Sequence, residues 1–187
     1  ELARVNWVMQ KLRQRSLIAE EVGLGKTIEA ELILKELTAR NRADRVLFVV
    51  PAHLQKKWIR DMDRFFDISL TPGDRQWVEG ERRRLGEEAN IWNQDHQQMV
   101  ASMAFLRQEE FRDELDNAFW DVVVVDEAHK AAKRGESPSK TSKVVERVAD
   151  NSDSLLLLSA TPHDGKGEAF RSFVEYIDPF LVADDQE

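Results

Sequence analysis

The sequence predicts an α/β fold, with a mainly parallel sheet and helices on both of its faces. Three observations lead there. Short β-branched or leucine-rich runs alternate with stretches of helical apolar spacing along the 187 residues. Two runs, Val122 to Val125 and Leu155 to Leu158, are apolar at every position, which suits strands buried on both faces. Strand–helix alternation also calls for crossover connections, and these bring successive strands into parallel pairing.

The elements follow in chain order. Ser16 to Ala19 is a short strand running into a glycine-containing loop. Lys26 to Arg40 places Ile28, Ala30, Leu32, Ile33, Leu34 and Leu37 at helical spacing. Arg45 to Val50 reads as a buried strand stopped by Pro51, which lacks an N–H. Leu54 to Phe66 predicts an amphipathic helix, with Leu54, Trp58, Ile59, Met62, Phe65 and Phe66 on one face. A weaker strand is expected at Ile68 to Leu70, then a turn at Pro72-Gly73-Asp74. Residues 74–88 are dense in charge and read as an exposed loop. Asn90 to Trp92 reads as a strand, and Gln97 to Asn117 as a long helix or helix pair with Met99, Met103, Phe105 and Leu106 inward. Asp121 to Val125 is the strongest strand of the chain. Lys133 to Lys143, with Gly135 and Pro138, reads as a connection leading to a helix that ends near Ala149. Leu155 to Ser159 is the last strand and Glu168 to Ile177 the last helix. No internal repeat or low-complexity tract interrupts the pattern.

Composition narrows the function. Apolar residues at 42% and charged residues at 33% are ordinary for a globular protein. The length predicts a single domain over residues 1–187, burying about 70% of its unfolded surface. No apolar run approaches the ~20 residues of a bilayer-spanning helix, so no membrane partner is expected. The absence of cysteine excludes disulfides, thiolate metal sites and cysteine nucleophiles. The first residues lack a basic segment followed by an apolar core, and lack Met, so the expectation is a cytoplasmic piece of a longer chain. A net charge of −8 does not advertise nucleic-acid binding, which would then rest on a local patch. Candidates are Lys56, Lys57 and Arg60, then Arg82 to Arg84, then Lys130, Lys133 and Arg134. Each reads first as a solvated face.

Three motifs carry chemistry. The segment EEVGLGKT spans residues 20–27, between a strand and a helix. Gly23, Leu24 and Gly25 let the loop curl so that backbone N–H groups converge on an anion at the helix N-terminus, with Glu21 and Val22 leading in. Lys26 would reach the β- and γ-phosphates of ATP, and the Thr27 hydroxyl would bind Mg²⁺. The usual pattern has a further glycine upstream, where this chain has Glu20. The second motif, VVVVDEAH, ends the valine strand in acids, at the sheet end where ligands bind in open parallel sheets. Asp126 there can hold Mg²⁺, and Glu127 can orient or deprotonate an attacking water. His129 reads either as a structural histidine or as a link from the nucleotide to Ser159 or Thr161. The third motif, Ser159-Ala160-Thr161-Pro162, puts hydroxyls at the end of the other buried strand.

EEVGLGKT, DEAH and LSATPHDG in this order resemble the superfamily-two helicase-like ATPases, specifically the Swi/Snf-type DNA translocases. TIEAELIL after the loop and SATPHDGKGEAF are most similar to the bacterial and archaeal branch that includes the RNA-polymerase-recycling ATPase. VVPAHLQKKW resembles the family's motif Ia. The likeness runs from about Ser16 to Pro179. It implies an N-terminal RecA-like P-loop NTPase lobe in which the Ser159 strand lies between the phosphate-loop strand and the Asp126 strand. It further implies phosphate and metal roles for Lys26, Thr27 and Asp126, and general-base catalysis by Glu127. His129, Ser159 and Thr161 would couple hydrolysis to movement, and Pro51, His53 and Lys57 would contact DNA. The implied partners are double-stranded DNA, a second RecA-like lobe of the parent chain that supplies an arginine finger, and RNA polymerase or another DNA-bound protein. Glu20 stands where most members have Asp. The adenine-reading glutamine is expected upstream, since Gln10 and Gln14 lie too close to the strand. An isolated lobe is expected to be weak or inactive as an ATPase. Two other readings stay open: an RNA or single-strand helicase lobe, and a nucleotide-gated binding module without turnover.

Overall fold

The computed structural model describes residues 14–19, 26–133, 138–161 and 167–178, and for residues 26 and 27 the backbone alone. Six strands form one sheet: β1 (Arg15–Ala19), β2 (Val46–Val50), β3 (Thr71–Gly73), β4 (Gln98–Ser102), β5 (Trp120–Val125) and β6 (Ser152–Ser159). Their order is β1-β6-β5-β2-β4-β3, and every pairing is parallel. The helices are α1 (Lys26–Ala39), α2 (Gln55–Phe66), α3 (Arg75–Leu85), α4 (Met103–Leu106), α5 (Arg112–Asp116), α6 (Lys140–Asp150) and α7 (Glu168–Ile177). This is the RecA-like α/β architecture, with β6 between β1 and β5 as expected.

Alternation along the buried strands sorts the core into two layers. Val46, Phe48, Val50, Val122, Val124, Leu156 and Leu158 point toward α1 and α2, against Ile33, Leu34, Leu37, Trp58 and Met62. Leu47, Val49, Val123, Val125, Leu155 and Leu157 point the other way, toward α3 to α7. Within that second layer, Arg15 of β1 ties three elements together by donating to the carbonyls of Tyr176 at 3.0 Å, Ala149 at 2.7 Å and Ser152 at 2.5 Å.

The middle of the chain departs from its sequence reading. The weak strand lies at Thr71–Gly73, not at 68–70, and Pro72-Gly73 are part of it rather than a turn. Gly73 is closely packed: a Cβ there would meet Met99 Cε at 2.9 Å and Ala101 Cβ at 3.0 Å, so the methionine end would have to shift. The 74–88 segment is exposed along much of its length but is no loop, because α3 fills it. Asp74 caps that helix by accepting from the Trp77 N–H at 2.9 Å, and Trp77, Val78 and Leu85 turn toward the core. Residues 90–92 form a turn, with Asn90 Oδ1 accepting from the Trp92 N–H at 2.9 Å. Gln97 to Asn117 does not begin as a helix. Its first part is β4, buried between β2 and β3, and helix starts only where Ser102 Oγ accepts from the Phe105 N–H at 3.0 Å. Helix α6 begins at Lys140, ahead of the expected point, because Ser139 caps it by accepting from the Ser142 N–H.

Candidate nucleotide site at the carboxyl edge of the sheet

In a parallel sheet every strand ends on the same edge, so distant segments of sequence converge there. Ala19 lies level with Ser159, and Val125 level with Leu157. The start of α1, the acids after β5 and the hydroxyls after β6 therefore share one edge. Lys26 and Thr27 open α1, the end of the helix whose dipole favours an anion. The loop expectation for Glu21, Val22, Gly23, Leu24 and Gly25 falls outside the described residues, as does Pro162.

Asp126 is fixed from three sides. Its N–H donates to the Val49 carbonyl at 2.9 Å, extending the β5–β2 ladder by one bond. Its Oδ2 accepts from the indole Nε1–H of Trp58 at 2.9 Å, and its Oδ1 from the Glu127 N–H at 2.8 Å. Each oxygen keeps a lone pair for a cation or water. Glu127 has φ 52° and ψ 42°, the left-handed region, which turns the chain sharply from the strand into the 3-10 turn Ala128–Ala131. That turn brings His129 back over the edge. His129 Nε2 lies 3.3 Å from Glu127 Oε2, and its Nδ1 makes a long contact of 3.5 Å with Ser159 Oγ. Ser159 Oγ in turn accepts from the Thr161 N–H at 3.2 Å. The imidazole thus stands between the acid ending one strand and the hydroxyl ending its neighbour.

Of the motif Ia residues, Pro51 is buried, so of the three only His53 and Lys57 offer surface. Lys57 is engaged with Asp61 at 3.0 Å. Trp58 is a site residue the sequence reading placed only in the apolar stripe of its helix. The available signal was chemical: a buried indole N–H seeks an acceptor, and the nearest strand end supplies a carboxylate. Gln14 is buried and accepts from Ser154 Oγ at 3.3 Å, at the amino end of β1 and so on the edge away from Asp126. It is therefore no candidate for reading a base.

The donor set suits magnesium bound with a triphosphate. Among the described residues no group of three or more His, Cys, Asp or Glu could hold a metal by itself. Mg²⁺ characteristically takes one or two carboxylates and completes its shell with phosphates and water, and a single oriented Asp126 matches that demand.

Residues 2–164 match the family model described as type III restriction enzyme, res subunit. The chain belongs to this family of helicase-like ATPases. Among curated members, it is 36% identical over 182 residues to the RNA polymerase-associated protein RapA of Yersinia pestis (strain Pestoides F), covering 96% of this chain. The same figures hold for RapA of Yersinia pseudotuberculosis serotype O:1b (strain IP 31758). The chain spans 18% of the length of these relatives. Among solved structures, the Sulfolobus solfataricus SWI2/SNF2 ATPase core in complex with dsDNA aligns with TM-score 0.74 and 21% identity, over 96% of this chain and 35% of that one. The Sulfolobus solfataricus SWI2/SNF2 ATPase core domain aligns with TM-score 0.63 and 20% identity, over 88% and 31%. These two solved structures share the RecA-like fold of this chain. No helix of the described residues is long and apolar enough to cross a membrane.

Proposed function

We propose that this chain is the ATP-binding lobe of a cytoplasmic, ATP-dependent translocase that moves on double-stranded DNA. The observation that carries the reading is the convergence of Asp126, Glu127, His129 and Ser159 beside the start of α1. The SWI2/SNF2 neighbour bound to dsDNA supports duplex DNA as the track, and the RapA relatives support RNA polymerase as the DNA-bound partner.

In this reading the backbone N–H groups of Gly23 to Lys26 cradle the phosphates of ATP, and the Lys26 ammonium neutralises charge on the β- and γ-phosphates. Thr27 and Asp126 would hold Mg²⁺, which would draw charge from the phosphate oxygens. The Trp58 indole N–H holds one oxygen of the Asp126 carboxylate by its hydrogen bond. Glu127 accepts a proton from the attacking water, and His129 holds the Glu127 carboxylate in place while reporting on Ser159 and Thr161. A second RecA-like lobe of the parent chain supplies an arginine finger, an element worth about 10³- to 10⁵-fold in rate.

The test is ATP turnover by the full-length protein with duplex DNA, single-stranded DNA, RNA or no nucleic acid. Strong stimulation by duplex DNA, lost in Lys26→Ala, is the expected outcome. Glu127→Gln should retain ATP binding and lose turnover. Stimulation confined to RNA or single strands would replace the translocase with a helicase, and ATP binding without turnover would replace it with a nucleotide-gated binding module.

A further inference from the structure

The basic clusters that can be seen along the sequence are largely neutralised by nearby acids. Lys57 and Arg60 both pair with Asp61, each at 3.0 Å. Arg82 pairs with Glu114, and Arg84 with Glu81. Lys133 pairs with Glu146 at 2.6 Å and Glu175 at 3.1 Å.

A cluster that only the fold assembles behaves differently. A cleft between the 106–112 segment and α6 is lined by Arg107, Arg112, Lys140, Lys143 and Arg147, with Glu109 the acid in its wall. Arg147 pairs with Asp116. Arg112 and Lys140 share Glu109 at 3.8 and 4.0 Å, the loose end of ion-pair geometry. Arg107 donates to the Thr141 hydroxyl at 3.4 Å, and Lys143 has no ion pair among the described residues. Five positive charges against Glu109 and Asp116 leave an excess of three, in a chain whose net charge is −8. Arg107, Arg112, Lys140 and Lys143 are exposed.

The position is informative. Helix α4 starts directly at the carboxyl end of β4, and α6 runs back from Lys140 to Asp150, just before the amino end of β6. The Lys140 end of the cleft therefore faces the carboxyl edge. It does so on the side of the sheet opposite α1 and α2, and so away from His53 and Lys57.

We propose that this cleft is a second nucleic-acid surface, gripping phosphates of a duplex segment that does not lie on the His53–Lys57 path. Three guanidinium groups match phosphate oxygens bidentately, and the lysines add point charge at the rim. An acidic peptide fits less well, because such docking relies on an apolar anchor in a pocket. The apolar lining residues here, Leu106 and Val144, are both buried. The proposal extends the duplex-DNA reading and rests on it for the identity of the polyanion.

The test uses the full-length protein carrying Arg112→Gln, Lys140→Gln and Lys143→Gln together, leaving the partly buried Arg147 in place. Duplex affinity is measured across a salt series without nucleotide. Each phosphate contact contributes about 0.9 to the slope of log affinity against log salt. The triple variant should lose about 2.7 from that slope and bind roughly 10-fold more weakly at low salt, with an unchanged melting temperature. ATP turnover at saturating duplex should stay within about twofold, since no changed residue touches the site. A folded triple variant with wild-type slope and affinity overturns the proposal, as does a wild-type protein that binds no duplex. A cleft-dependent slope in a protein whose turnover ignores DNA would keep the surface and sink the translocase reading instead.

Discussion

The two faces of the sheet are built from different materials. On the side of α3 to α6, aromatic rings fill the space: Trp92 packs against Trp77 at 4.8 Å, Phe111 at 5.3 Å and Phe105 at 6.4 Å between centroids. Helices α1 and α2 carry three buried carboxyl groups, Glu29 at 1% exposure, Glu31 at 3% and Asp61 at 9%, and the last two act on each other. Burial pushes the Glu31 carboxyl up to about 7, the Asp61 charge adds to the rise, and Lys57 opposes it. Burial also pushes Asp61 upward, but hydrogen bonds from Lys57 and Arg60 outweigh it and hold that carboxyl below the usual range. One face is centred on a cluster of aromatic rings. The other keeps Glu31 and Asp61 between α1, which opens the candidate nucleotide site, and α2, which carries Lys57.

Four substitutions break or sharpen that contrast. Trp92→Ala should be the most damaging, costing about 3–5 kcal/mol in denaturant unfolding, since it empties the centre of the aromatic face. Trp58→Phe removes the hydrogen bond to the Asp126 carboxylate and should cost about 1.5–3 kcal/mol, with a higher Mg²⁺ requirement for turnover. A variant with normal stability and normal Mg²⁺ dependence would show that Trp58 does not position Asp126. Glu31→Gln should stabilise. Because the folded-state pKa is raised, ionising Glu31 costs stability, and that cost appears as pH climbs from 4.5 and is complete above about 7. The variant should gain on the order of 1–2 kcal/mol above pH 8 and nothing below pH 4, read from unfolding curves at several pH values. Arg40→Ala deletes an exposed pair with Glu36 four residues away and should change stability by less than about 0.5 kcal/mol.

The site was far more legible in the sequence than the fold's far side. The runs Val122–Val125 of β5 and Leu155–Leu158 of β6 are buried on both faces, so each is apolar at every position and no periodicity needs to be resolved. Their terminal Asp126 and Ser159 then stand out as polar residues directly after an apolar run. The Met99–Phe105 stretch misled for a physical reason. Met99, Met103 and Leu106 fall at helical spacing, yet the first lies in a strand and the others in the helix that follows, joined at the Ser102 cap. Helix α3 hid behind its own charge: Glu79, Glu81 and Arg82 to Arg84 obscure a cap at Asp74 and an inward stripe of Trp77, Val78 and Leu85. The cationic cleft was invisible for a simpler reason, since its residues come from two segments that only the crossover brings together.

The outermost strand has a consequence for behaviour at high concentration. β3 contributes three residues to the sheet's rim, and the middle one is Pro72. A rim this short, with a residue that has no N–H to offer, is a poor template for another chain's backbone. Growth of the sheet from one molecule into the next is discouraged on that side. The close packing at Gly73 thus sits beside a built-in stop against self-assembly.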